Sequence, residues 1–133
     1  MPVYKAPVDD TLFLLKDVFN IERYNNLPGF SDATPDVIEA VLGEGAKLCE
    51  EVLQPINYSG DQEGCTRHPD GRVTTPKGFK EAYEAYAGGG WIGLAMDPEY
   101  GGQGLPYTLG AVMNEYASAA NMAFAMYPGL TMG

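Results

Sequence analysis

The strongest constraint on the fold is a long apolar run near the C-terminal end of the chain. From Pro106 to about Met126, apolar side chains cover more than one helical face. They are Leu109, Val112, Met113, Tyr116, Ala120, Ala123, Phe124 and Tyr127. The run predicts a helix of roughly 30 Å, at about 1.5 Å per residue, and a helix that is apolar nearly all round is normally buried inside a larger protein. Asn114, Glu115 and Asn121 interrupt the run, which argues against a membrane span.

A second helix is indicated between Thr34 and Pro55. Thr34 is a good N-cap, and Pro35 fits the first helical position. Apolar residues then recur at steps of three and four, as on one face of an amphipathic helix. Gly43 and Gly45 lie inside it, and a glycine destabilises a helix interior by about 1 kcal/mol relative to alanine. We interpret both as sites of close packing against a neighbouring helix.

Two shorter elements are predicted to follow this helix. From Asn57 to Thr74 the helical periodicity stops, and turn residues indicate a very short hairpin between Thr66 and Thr74. Thr75–Pro76 then repeats the combination of a cap and a proline. A further helix is therefore expected from Thr75–Pro76 to the glycines at 88–90.

A formal net charge of -10, from 8 basic and 18 acidic side chains, limits the classes of protein to which the chain can belong. A general nucleic-acid binder needs a basic surface and is excluded, and docking on anionic lipid is disfavoured. Cys49, Cys65 and His68 are too few for a structural zinc site, and no metal is predicted. The apolar run Leu12–Leu15 is too short for a signal peptide. The chain is predicted to be reduced and cytoplasmic.

Few residues in the sequence could carry chemistry. Gly88, Gly90 and Gly93 have the spacing G-x-G-x-x-G, but a dinucleotide site needs a strand before the glycines. A helix is predicted before them, so we interpret them as a helix-stop loop. His68 is expected to be a solvated surface residue, and Glu115 to face solvent or an ion pair. No complete catalytic arrangement can be assembled, and no residue is predicted to be catalytic.

Several passages of the chain resemble one protein family. Gly89–Leu94 is followed by Asp97–Pro106, which reads Asp-Pro-Glu-Tyr-Gly-Gly-Gln-Gly-Leu-Pro. These two passages resemble the N-terminal helical domain of the acyl-CoA dehydrogenase family. Other passages are similar to the subfamily that carries an extra N-terminal segment. They are Met1–Pro7, Leu27–Phe30, Asn121–Phe124 and Met126–Thr131.

The resemblance implies an all-α fold, the N-terminal helical domain of that family, with its helices in an up-down bundle. Residues 1–30 are expected to form the N-terminal extension, with a short amphipathic helix at Thr11–Phe19. Residues 31–133 are expected to form the helical domain, incomplete at its C-terminal end. Leu130–Gly133 breaks off within an apolar stretch without a capping signal, so the chain is expected to be truncated.

The resemblance also implies a function for the full-length protein. The family oxidises the α,β bond of an acyl-CoA thioester with FAD. Its flavin-contacting strands and glutamate base follow the N-terminal domain, so residues 1–133 alone are expected to be inactive and to bind no FAD. Acyl-CoA is implied as substrate, electron-transfer flavoprotein as a partner, and a homo-oligomer as the assembly.

The same resemblance assigns Phe124, Tyr127, Leu130 and Thr131 to a wall of the acyl pocket. Such an apolar wall would exclude water from the reacting carbons. The alternative for each of the four is ordinary interdomain core. A second hypothesis for the whole chain is an acidic helical protein-interaction module with no enzymatic role, which binds a partner through its last helix.

Overall fold

The N-terminal segment is helical and packs on the rest of the chain. The computed structural model describes residues 3–131. The segment contains helix α1 at Val8–Phe13, a π-helical turn at Leu14–Val18 and a 3-10 turn at Ile21–Tyr24. Leu15 and Ile21 are buried in the common core. The predicted short helix is confirmed, and it begins at Val8, three residues earlier than expected.

The next helix begins at the predicted cap but is not uniform. Thr34 Oγ1 accepts a hydrogen bond from the Val37 N–H at 3.4 Å. The elements are helix α2 at Pro35–Leu48, a π-helical turn at Cys49–Leu53, a 3-10 turn at Gln54–Ile56 and helix α3 at Asn57–Glu63. The prediction of one regular helix to Pro55 is therefore wrong, as is the loss of helical structure from Asn57. Pro55 has no N–H for an α-helical ladder, and the π and 3-10 turns carry the chain past it into α3.

The two glycines of α2 have different surroundings. A Cβ atom at Gly45 would lie 2.8 Å from Met113 Sδ and 3.4 Å from the Trp91 ring. The predicted close packing is confirmed at this position. Nothing lies within 4 Å of a Cβ atom at Gly43, which is exposed, so the same interpretation is wrong there.

A short hairpin and a helix follow α3. Strands β1, Thr66–Arg67, and β2, Val73–Thr74, pair antiparallel with Thr66 opposite Thr74, as predicted. Helix α4 spans Phe79–Gly88 and ends at the predicted glycines. Its predicted start at Thr75–Pro76 is wrong, because Gly78 has φ of 88° and breaks any helix that would begin before it.

The last helix, α5, spans Tyr107–Thr131. The predicted apolar run therefore forms a single helical element, but Asn121 inside it has φ of -160° and ψ of 89°, which are not helical. The helix also continues through Pro128, so the expectation that the helix ends near Met126 is wrong. Pro128 is fully buried, and its packing in the core offsets the loss of the backbone hydrogen bond that proline cannot donate.

The core lies where α5 packs on α2, α3 and the intervening π-helical turn. Its largest fully buried side chains include Ile38, Leu53, Tyr86, Leu109, Tyr116 and Phe124. The all-α expectation is confirmed, with the small hairpin as an addition. Within residues 3–131, no helix combines the length and the hydropathy that crossing a bilayer requires.

Glu50, in the π-helical turn after α2, fastens the N-terminal segment. It forms an ion pair with Lys5, and its Oε1 accepts a hydrogen bond from the Ala6 N–H at 3.0 Å. The hydrogen bonds from Lys5 and from the Ala6 amide lower the pKa of the Glu50 carboxyl below its ordinary value. A group whose pKa is lowered by folding stabilises the folded state above its unfolded pKa, and this contribution disappears as the pH falls through the lowered value.

We expect Glu50→Gln to weaken this attachment at pH 7 by about 1 kcal/mol, or roughly a fivefold faster hydrogen exchange at the Ala6 amide. The difference from the wild type should begin to shrink as the pH falls to about 4.3, the ordinary glutamate pKa, and should disappear as the pH falls through the lowered pKa of the folded state, because the wild-type carboxyl is then protonated. Glu39→Gln is the control, since Glu39 pairs with Lys16 at 3.6 Å on an exposed surface. A difference that stays constant as the pH falls through this whole range would contradict the electrostatic role of Glu50.

Candidate functional site

An aromatic cluster connects the C-terminal half of α5 to α4. The Phe124 side chain is 0% exposed. Its ring centroid lies 5.8 Å from that of Tyr86, 6.1 Å from Phe79 and 6.5 Å from Tyr127, all in tilted or edge-on arrangements that aromatic pairs favour. Phe124 therefore belongs to the core between the two helices.

Tyr127 lies at the edge of this cluster, where it borders a groove. Its ring is 38% exposed and meets the Phe79 ring edge-on at 5.8 Å. The groove has a volume of about 580 Å³ and is lined by Thr75, Phe79, Lys80, Tyr83, Glu84 and Tyr127. Tyr127 Oη is 3.5 Å from Cys65 Sγ. The hydrogen bond with Cys65, together with partial burial, raises the pKa of the Tyr127 hydroxyl above its ordinary value, so the hydroxyl is neutral at pH 7.

Leu130 lies on a different face of α5. We call the exposed side chains of Met122, Met126 and Leu130 the outer face of α5; they are 61%, 59% and 81% exposed and follow one another at steps of four. A shallow groove of about 230 Å³ runs along them between Asn114 and Leu130. Contiguous exposed apolar side chains of this kind typically mark a surface for interaction.

The structure shows the surroundings of three of the four predicted wall residues. It brings Phe124 and Tyr127 together, the first buried and the second beside a groove, and it places Leu130 on the outer face. The backbone of Thr131 closes α5, and its side chain lies outside the described part of the chain. Phe124, Tyr127 and Leu130 share one helical segment, with Phe124 in the core and Tyr127 and Leu130 beside two different grooves.

A further cavity of about 510 Å³ was not predicted from the sequence. Its walls include Tyr86, Trp91, Leu94, Met96, Tyr107 and Gly129. The glycine-rich loop at residues 101–104, called the glycine loop below, closes on this region. Its Gln103 donates a hydrogen bond from the backbone N–H to the Gly93 carbonyl at 2.8 Å and another from Nε2 to the Gly90 carbonyl at 3.1 Å. The apolar stretch Trp91–Met96 beside a glycine loop is the sequence signal that could have indicated it.

The polar candidates lie away from these cavities. His68 is partly exposed and its Nε2 is 2.6 Å from Thr74 Oγ1, and Glu115 is exposed, so both lie at the surface as predicted. Cys49 and Cys65 are free thiols, and burial raises the pKa of Cys49 to about 12, so it is protonated. Across residues 3–131, no three His, Cys, Asp or Glu side chains form a group that could hold a metal ion. Helix α4 precedes Gly88–Gly93, so these glycines stop a helix rather than begin one.

The helical fold and the glycine loop correspond to a known family. The sequence model of the family described as "Acyl-CoA dehydrogenase, N-terminal domain" matches residues 42–133, and the chain belongs to the acyl-CoA dehydrogenase family. In particular, it is 36% identical over 130 residues to the 3-methylmercaptopropionyl-CoA dehydrogenase of Ruegeria pomeroyi. That alignment covers 98% of this chain and 22% of the relative.

Two other relatives are less similar. A broad-specificity linear acyl-CoA dehydrogenase of Mycobacterium tuberculosis is 28% identical over 97% of this chain and 21% of its own length. A butyryl-CoA dehydrogenase of Syntrophomonas wolfei is 28% identical over 98% of this chain and 22% of its own length. The chain therefore spans about a fifth of the length of the curated relatives that it matches.

Proposed function

We propose that this chain is the N-terminal helical domain of an FAD-dependent acyl-CoA dehydrogenase, which oxidises the α,β bond of an acyl-CoA thioester. The observation that carries the proposal is the family match over residues 42–133, which includes the second half of α2 and all of α3, α4, the glycine loop and α5. We assign residues 1–30 to an N-terminal extension and residues 31–133 to the helical domain. The 36% identity over 98% of the chain supports including the extension.

The glycines at 88–93 do not have the arrangement of a dinucleotide-phosphate site. When bound in this family, FAD accepts the hydride removed from the substrate. A dinucleotide phosphate is typically held by a strand, a glycine turn and the start of a helix, whereas Gly88–Gly93 here follow a helix. We therefore propose that residues outside 1–133 bind FAD and supply the base, and that this chain contributes an apolar, water-excluding wall.

Among the proposed roles, the apolar wall of the acyl pocket is the one for which the side chains of this chain provide support. Tyr127 and Leu130 border the grooves on the two sides of α5, and Phe124 supports Tyr127 from the core. Excluding water from a reacting site strengthens the electrostatic interactions within it and prevents side reactions. We propose Tyr127, Leu130 and Thr131 as contacts of the acyl chain, with Phe124 as their support.

We further propose electron-transfer flavoprotein as the electron acceptor, a homo-oligomeric enzyme and a cytoplasmic location. The outer face of α5 supports an assembly larger than this chain, because its apolar side chains are exposed and such patches usually become buried in an interface. The same face also favours the second candidate, an acidic interaction module whose partner covers α5.

The two candidates are separated by expressing the full reading frame that contains residues 1–133, recording its visible spectrum and measuring acyl-CoA oxidation with an artificial electron acceptor. The dehydrogenase is expected to be yellow and to oxidise acyl-CoA, whereas residues 1–133 alone should be colourless and inactive. A colourless and inactive product of the full reading frame would favour the interaction module.

We expect Tyr127→Ala to shift the chain-length preference of the enzyme. Removing the ring enlarges the groove that it borders, so longer acyl-CoAs should gain in kcat/KM over shorter ones by roughly tenfold, the scale of one or two methylenes in an apolar pocket. Tyr127→Phe is the control, because it removes only the hydroxyl that contacts Cys65. Lower stability with an unchanged preference would instead show that Tyr127 is interdomain core.

A further inference from the structure

Asn121 is a buried polar residue in the middle of the apolar helix α5. Its side chain is 1% exposed, and its backbone leaves the helical conformation. A buried polar side chain that makes no hydrogen bond destabilises the folded state, so such groups are nearly always paired. The partners of Asn121 therefore indicate what it does.

The first partner lies further along the same helix. Asn121 Oδ1 accepts a hydrogen bond from the Phe124 N–H at 3.0 Å. A non-helical backbone with a side-chain oxygen that accepts from the N–H three residues later is the geometry of a helix N-cap, for which asparagine is among the preferred residues. Helix α5 is thus two helices, and Asn121 begins the second one.

The second partner lies far away in the sequence. Asn121 Nδ2 donates to the Leu53 carbonyl at 3.1 Å, across 68 positions of the chain. Leu53 ends the π-helical turn between α2 and α3, next to Pro55. One amide therefore satisfies both of its polar atoms and fastens the start of the second helix of α5 to the corner between α2 and α3.

The residues proposed to contact the acyl chain all lie on the segment that Asn121 begins. Leu130 is nine residues beyond it, about 13 Å at 1.5 Å per residue, so a tilt of about 10° at the cap would move that end by roughly 2 Å. Such a displacement is comparable to one or two methylenes of an acyl chain. A change at Asn121 can therefore alter the depth of the pocket without touching the substrate.

We propose that Asn121 is a positioning residue, which sets the direction of the pocket wall and thereby the acyl-chain length that the enzyme prefers. The proposal rests on the proposed function and adds a determinant of specificity outside the wall itself. Its two hydrogen bonds have separate roles: the bond to Phe124 begins the segment, and the bond to Leu53 aims it.

The test uses three variants of the enzyme expressed from the full reading frame. Asn121→Ala removes both hydrogen bonds, and Asn121→Ser keeps an oxygen for the cap but is too short to reach Leu53. Leu109→Ala is the matched control, because Leu109 is fully buried near the start of α5, and its truncation leaves a cavity but spares the cap. Two quantities are measured: the ratio of kcat/KM for a long and a short acyl-CoA, and hydrogen exchange at the Phe124 amide.

We expect Asn121→Ala to change the kcat/KM ratio by about five- to tenfold and to accelerate Phe124 exchange at least tenfold. Asn121→Ser should change the ratio to a similar extent while it retains most of the Phe124 protection, and it provides the test if the alanine variant does not fold. Leu109→Ala should leave the ratio unchanged.

Three results would overturn the role of Asn121 in specificity. The first is an unchanged ratio in both active Asn121 variants, and the second is an equal change in Leu109→Ala. The third is a wild-type enzyme that is inactive on every acyl-CoA, which overturns the proposed function and the specificity role with it. Phe124 exchange does not depend on activity, so unaltered exchange in Asn121→Ala would separately overturn the cap.

Discussion

Replacing Phe124 with alanine is expected to lower the free energy of unfolding by about 3–5 kcal/mol. The ring is 0% exposed and packs against Phe79, Tyr86 and Tyr127. Its removal leaves a cavity between α4 and α5, and the edge-on contacts are lost with it. Thermal unfolding followed by circular dichroism would show the change as a lower Tm.

Phe13→Ala is the matched control for this experiment. Phe13 is also a phenylalanine in a helix, but it is 58% exposed, and its truncation should cost well under 1 kcal/mol. Similar losses in the two variants would show that Phe124 is not core. A large loss of stability in Phe124→Ala but not in Phe13→Ala would show that Phe124 supports Tyr127 by packing within this chain.

Replacing Gly102 with alanine is expected to destabilise the protein by about 3 kcal/mol. A Cβ atom there would overlap the backbone carbonyl of Met96, which cannot rotate away as a side chain can. That carbonyl accepts a hydrogen bond from the Gly104 N–H at 2.9 Å, so relieving the overlap would break the turn. The second glycine of the Pro-Glu-Tyr-Gly-Gly passage is therefore required because a Cβ atom has no room there, and not because its φ excludes other residues.

Gly43→Ala provides a control of opposite sign. Gly43 lies within α2 and has open space around it, so alanine should stabilise the helix by up to about 1 kcal/mol. Urea unfolding of both variants measures the two effects on one scale. A neutral Gly102→Ala variant would show that the loop can move away from Met96.

Local signals in the sequence predicted several boundaries correctly. The cap at Thr34 begins α2, the turn before Thr74 forms the hairpin, and the glycines at 88–90 end α4. Each of these features depends on side chains within a few positions of the boundary. The start of α4 was predicted wrongly because another local residue decides it: Gly78, with its left-handed backbone, prevents the helix from beginning at Thr75–Pro76.

Long-range contacts explain what the sequence could not predict. Asn121 is a polar interruption in an apolar run, and its amide nitrogen donates a hydrogen bond to a carbonyl 68 positions away. Tyr127 and Leu130, which both lie beyond this kink, face different grooves. The resemblance pointed to this segment of the helix as a pocket wall, whereas the division of its residues between core, groove and outer face depends on packing against α4.

The attachment of the N-terminal segment has a consequence for the order of folding. Lys5 and Ala6 bind Glu50, and the Tyr116 hydroxyl donates to Thr11 Oγ1 at 2.8 Å across 105 positions. Closing so long a loop is slow because it costs conformational entropy, and the contacts that offset this cost form only after the distant partner has folded. During synthesis this segment leaves the ribosome before α5, so its contact with Tyr116 can form only after α5 has been made.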